Sequence, residues 1–121
     1  MKRIVVVEDD RWLGAHYMRV LTRAGFEPYL AADGAEAIDL IDTTVPDAII
    51  LDILLEQSTA PTLLHELQSH RDLSRIPVLL VSNIADRVDL GTMKRYGVHA
   101  VLDKATITPA QLVGEIQEVV A

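Results

Sequence analysis

Four short aliphatic runs, Arg3–Val7, Asp47–Leu51, Ile76–Val81 and Val98–Leu102, constrain this chain most, because none of them alternates apolar with polar residues. A strand with one wet face alternates; a strand covered on both faces reads as a near-continuous apolar run, as in parallel sheets. A weaker fifth run, Glu27–Ala31, follows Gly25. Between the runs the apolar period changes to that of a helix. Trp12, Leu13, His16, Tyr17, Val20 and Leu21 share one stripe that stops at Gly25, a suitable C′ glycine. Ala35, Ala37, Ile38, Leu40 and Ile41 form a second, opened by Asp33-Gly34 and closed before Pro46. Leu63, Leu64 and Leu67 form a third, begun near Pro61. Val88, Leu90, Met93 and Tyr96 form a fourth, stopped by Gly97. Leu112, Val113, Ile116, Val119 and Val120 form the last, with Thr108 as N-cap and Pro109 at the first helical position. Strand and helix in strict alternation, joined by right-handed crossovers, predict an α/β fold with a doubly wound five-stranded parallel sheet. With no repeat or linker, residues 1–121 read as one domain.

Sheets of this kind place their sites at the carboxyl ends of the strands. The first strand ends in Glu8-Asp9-Asp10, the third in Asp52, the fourth in Ser82 and the fifth in Asp103-Lys104. Each has a bland reading. The acidic triplet serves equally well as cap and first turn of a helix, a lone serine is usually a cap, and a lone lysine is usually solvated. Asp52 is harder to dismiss, since it sits between Ala48-Ile49-Ile50-Leu51 and Ile53-Leu54-Leu55, where an unpaired charge is costly to bury. Together on one edge, carboxylates without thiolates or paired histidines favour a hard cation, Mg²⁺ above all. Lys104 and Ser82 would supply a cation and a neutral donor to phosphoryl oxygens.

Charge and composition exclude other classes. Eleven basic against 18 acidic residues give a formal charge of −7, which argues against direct nucleic-acid binding. There is no cysteine, hence no disulfide or thiolate metal site, and no apolar run is long enough to span a membrane. The start, Met1-Lys2-Arg3 followed by Ile4-Val5-Val6-Val7, has the character of neither a signal nor a transit peptide, so a cytoplasmic location is the default expectation.

Ile4-Val5-Val6-Val7-Glu8-Asp9-Asp10, Pro46 through Asp52, Ile76 through Ser82 and Gly97 through Lys104 stand in an order and at spacings that resemble a response-regulator receiver domain of two-component signal transduction, over essentially the whole chain. The resemblance implies a flavodoxin-like (βα)5 fold with strand order 2-1-3-4-5. It implies a phosphoacceptor, not an enzyme, with Asp52 as nucleophile and metal ligand. Glu8, Asp9 and the Leu54 carbonyl would hold Mg²⁺ beside it, while Ser82 and Lys104 would contact the phosphoryl group. Asp10 reads as a helix cap. The implied partners are a histidine kinase or phosphotransfer protein upstream and an effector or separate output domain downstream. The face of the fourth helix, fifth strand and fifth helix, here with Arg87, Met93, Lys94, Tyr96, His99 and Val101, would meet partners or a second copy; the bland reading is a solvated surface.

Several positions depart from the family pattern. Glu56 replaces a proline, Ala60 a glycine, Asn83 a small residue, and Ala105 the proline of a cis peptide after the lysine. A cis bond before a non-proline residue costs about 3–4 kcal/mol, so a trans bond or a strained site is expected. Val101 replaces the family's switch aromatic, which leaves His99 or Tyr96 as substitutes. Leu54 and Ile84, apolar at the pocket's flanks, predict slow self-dephosphorylation. These departures keep open a pseudo-receiver, a constitutive interaction module with the acids retained. A flavin-binding relative is disfavoured because Glu8-Asp9-Asp10 would repel a phosphate at the first turn. His16, His65, His70 and His99 share no metal-ligand spacing and read as surface or packing residues; Trp12 reads as core packing.

Overall fold

The computed structural model describes residues 1–52, 69, 75–83, 90–95 and 97–121. Five strands, β1 (Arg3–Val7), β2 (Glu27–Ala31), β3 (Ala48–Asp52), β4 (Val78–Ser82) and β5 (Val98–Asp103), pair in parallel in the order β2-β1-β3-β4-β5. The described helices are α1 (Arg11–Arg23), α2 (Gly34–Thr44), the short α3 (Leu90–Lys94) and α4 (Pro109–Val120). The expected doubly wound sheet is therefore present. The helical stripe at Leu63, Leu64 and Leu67 lies outside the described residues, as do Val88 and Tyr96 of the fourth stripe.

The central strands are apolar on both sides because both sides are covered. Val5 and Val7 of β1 pack with Ala37 and Ile41 of α2 on one face, where Met93 of α3 also contributes. Ile4 and Val6 point to the other face, against Tyr17 and Leu21 of α1 and Leu112 and Ile116 of α4. Two cores sharing one sheet explain why β1, β3 and β4 show no alternation. Along α1 the buried residues are Gly14, Tyr17 and Leu21. Gly14 lets this helix close on β2, since a Cβ there would meet Leu30 Cδ2 at 3.0 Å. Trp12 corrects the sequence expectation: it is 87% exposed, one position off the buried stripe in the helix's first turn.

The helix boundaries follow capping chemistry. Asp10 Oδ1 accepts from the Trp12 and Leu13 amides, Asp33 from Glu36, and Thr108 forms a reciprocal capping box with Gln111 ahead of Pro109. Gly25, with φ of 89°, follows the end of α1 as predicted. At the end of α2 the left-handed position falls instead to Val45, with φ of 49°.

Candidate functional site

The carboxyl ends of β1, β3, β4 and β5 form a single edge. Glu8 follows β1 and is fixed by its amide, which donates to the Ala31 carbonyl at the end of β2. Asp52 is the last residue of β3 and pairs in register with Val81, which sets Ser82 at the end of the adjoining strand. Ser82 pairs in register with Asp103, and its carbonyl accepts from the Lys104 amide at 3.0 Å. The sheet register alone thus delivers an acid, a hydroxyl residue and a lysine to one place.

Burial makes the grouping chemically unusual. Glu8 is 2% exposed, Asp52 6% and Ser82 0%. Lys104 Nζ donates to Glu8 Oε1 and to Asp52 Oδ2, both at 3.0 Å. One ammonium therefore faces two buried carboxyl groups. Oxygens of Glu8, Asp9 and Asp52 come within 4.8 Å of one another, with Asp9 exposed at the rim. Burial first, and the neighbouring Asp52 carboxylate second, push Glu8 up to about 8. Burial opposes the charge on Lys104, yet hydrogen bonds to Asp52 and Glu8 outweigh it and raise its pKa. Among the described residues, Glu8 Oε2 is buried without a hydrogen-bond partner. A buried, unpaired carboxylate oxygen in a cluster of three acids is what an oxygen-ligated divalent cation would satisfy, so the donor set fits Mg²⁺.

Glu8, Asp9, Asp52, Ser82 and Lys104 are thus assembled on one edge. Leu54, Glu56, Ala60 and Ile84 lie outside the described residues. Asp10 stands apart as the cap of α1. Among the described residues no peptide bond is cis, so Lys104–Ala105 is trans. Where the resemblance implied a proline after the lysine, Asp103 builds the turn here. Its side chain accepts from the Ala105 amide at 2.9 Å, and its carbonyl accepts from Thr106 and Ile107. Sequence reasoning counted Asp103 only as a strand-end acid; the available signal was an Asp two residues before a turn amide. Val101 packs against the α2-side core, and His99 lies near the opposite end of β5 from Ser82, so His99 does not reach the pocket in place of an aromatic.

The sequence matches the response regulator receiver domain family over residues 4–117. It is 35% identical over 89 residues to the response regulator MprA of a Mycobacterium species (strain KMS), an alignment covering 71% of this chain and 38% of that protein. The chain thus spans well under half the length of this curated relative. A sensor protein from Polaromonas sp. JS666 superposes with a TM-score of 0.91 at 20% identity, covering 98% of this chain and 95% of that one. The receiver domain of a sensor histidine kinase from Pseudomonas aeruginosa, with a magnesium ion coordinated in its active-site cleft, superposes at 0.87 and 23% identity over 98% of this chain and 97% of that one. At these identities the two structures speak for the fold, while the family match covers nearly the whole sequence. The chain belongs to the response-regulator receiver domain family of two-component signalling.

Proposed function

We propose that this domain accepts a phosphoryl group on Asp52, with Mg²⁺ held by Glu8, Asp9 and Asp52, and passes the signal on through protein contacts. The observation that supports this most is the shared Lys104 ammonium, 3.0 Å from both Glu8 Oε1 and Asp52 Oδ2, beside a buried Glu8 oxygen with no hydrogen-bond partner among the described residues. The Leu54 carbonyl, outside the described residues, would complete the protein ligands. When bound, Mg²⁺ supplies positive charge for phosphoryl oxygens beside the carboxylate. A carboxylate oxygen of Asp52 attacks phosphorus; its new O–P bond forms as the donor's bond to phosphorus breaks, and the electron pair leaves with the donor group. Lys104, already held at the acceptor, neutralises charge on the transferred group, and Ser82 stands at the neighbouring strand end to donate to it.

The donor is a histidine kinase or phosphotransfer protein, and the receiver is a covalent acceptor, not an enzyme acting on a released product. It works in the cytoplasm, with an effector or output domain downstream. Beryllofluoride, a mimic of the acyl phosphate, tests the reading by ¹⁹F NMR. Bound fluorine signals that need Mg²⁺ and vanish in Asp52→Asn are expected. Their absence from the wild type would favour the pseudo-receiver.

A further inference from the structure

A second group of metal-ligand atoms lies away from the acid pocket. His99 of β5 and Glu115 and Glu118 of α4 bring one imidazole nitrogen and two carboxylate oxygens within 4.8 Å of one another. The histidine is placed there by an irregularity in the sheet. Val78 pairs with Val98 but Leu79 pairs with Ala100, so His99 is an extra residue in edge strand β5. Such a bulge leaves one residue unpaired and re-aims its side chain. The two glutamates are one turn apart, and i, i+3 residues share a helix face. Their helix is held by the Thr108–Gln111 capping box and by buried Leu112 and Ile116. Like charges at that spacing are unfavourable, and His99 Nε2 lies 3.9 Å from Glu118 Oε1, too far for a hydrogen bond.

We propose that His99, Glu115 and Glu118 form a binding site for a borderline divalent transition ion such as Zn²⁺, clamping edge strand β5 to helix α4. Neutral imidazole supplies a nitrogen lone pair and each carboxylate one oxygen, three protein ligands that leave a fourth position for water. The imidazole selects against Mg²⁺, which prefers oxygen alone. The all-oxygen pocket at Glu8, Asp9 and Asp52 has the reverse preference. Along β5, His99 lies four residues, or about 13 Å at strand rise, from Asp103, which precedes the pocket lysine Lys104.

The test is a Zn²⁺ titration of the whole chain in saturating Mg²⁺, followed by calorimetry and by the ¹⁵N signals of the histidine rings. One tight event that moves the His99 ring signals is expected, weakened at least about tenfold in His99→Ala and in Glu115→Gln/Glu118→Gln. His99, Glu115 and Glu118 are at most partly buried, and circular dichroism checks that each variant folds. Zinc that leaves the His99 signals unmoved, or binds either variant as tightly as the wild type, would overturn the site.

Discussion

Glu8 is the residue on which the chemistry of the pocket turns. Held at about 8 by burial and by Asp52, it binds its proton more tightly in the folded than in the unfolded chain, where the ordinary value is 4.5. Its contribution to stability is therefore complete below about pH 4.5 and is lost as pH rises through about 8. Without metal, thermal unfolding should show the melting temperature falling over that window, and Glu8→Gln should flatten the fall. Metal binding must expel the same proton, so Mg²⁺ affinity should climb by up to about tenfold per pH unit until pH 8 and then level off. Trp12, exposed in the first turn of α1 three residues after Asp9, is a fluorescent probe for that titration. A pH-independent affinity would remove Glu8 from the ligand set. Asp103 acts one step back from the chemistry, by folding the turn after Lys104. Asp103→Ala should cost about 1 kcal/mol in urea unfolding and slow phosphorylation, while leaving Asp52 as the acceptor. Unchanged stability and rate would show that the turn forms without it.

At the scale of elements, apolar runs and capping residues were legible in the sequence because they act locally. Asp10, Asp33, Thr108 and Gly25 take the roles their residue types predict. Trp12 was misread because apolarity and helical phase agree roughly across one turn, and a single position of rotation decides between core and solvent. Val45 could not have been foreseen from propensity, since a β-branched residue is a poor choice for a left-handed cap. It is 58% exposed, so nothing in the core requires its side chain. Val45→Asn should accordingly stabilise the protein by about 1 kcal/mol, or about 4 °C in melting temperature. A destabilised variant would mean that the valine makes contacts which outweigh its backbone strain. The bulge at His99 was equally hidden, because register is a property of two strands and not of one.

On the scale of the whole molecule, the parallel sheet does what no single motif could. Glu8, Asp52, Ser82 and Lys104 are scattered through the sequence, and each has an ordinary explanation on its own. Their convergence was legible only because a doubly wound sheet brings successive strand ends to one edge. The burial of Glu8, Asp52 and Ser82, the shared ammonium, and the Glu8 oxygen left without a partner among the described residues were not legible, since they depend on side-chain packing across four strands. The central claim is that this edge makes Asp52 a Mg²⁺-dependent phosphoacceptor. Intact mass after incubation with acetyl phosphate tests it most directly, with and without Mg²⁺ and beside Asp52→Asn. A single phosphoryl adduct on the wild type, missing from the variant and without the metal, is the predicted result. An adduct that persists in Asp52→Asn, or none on a folded wild type with Mg²⁺ present, would contradict it.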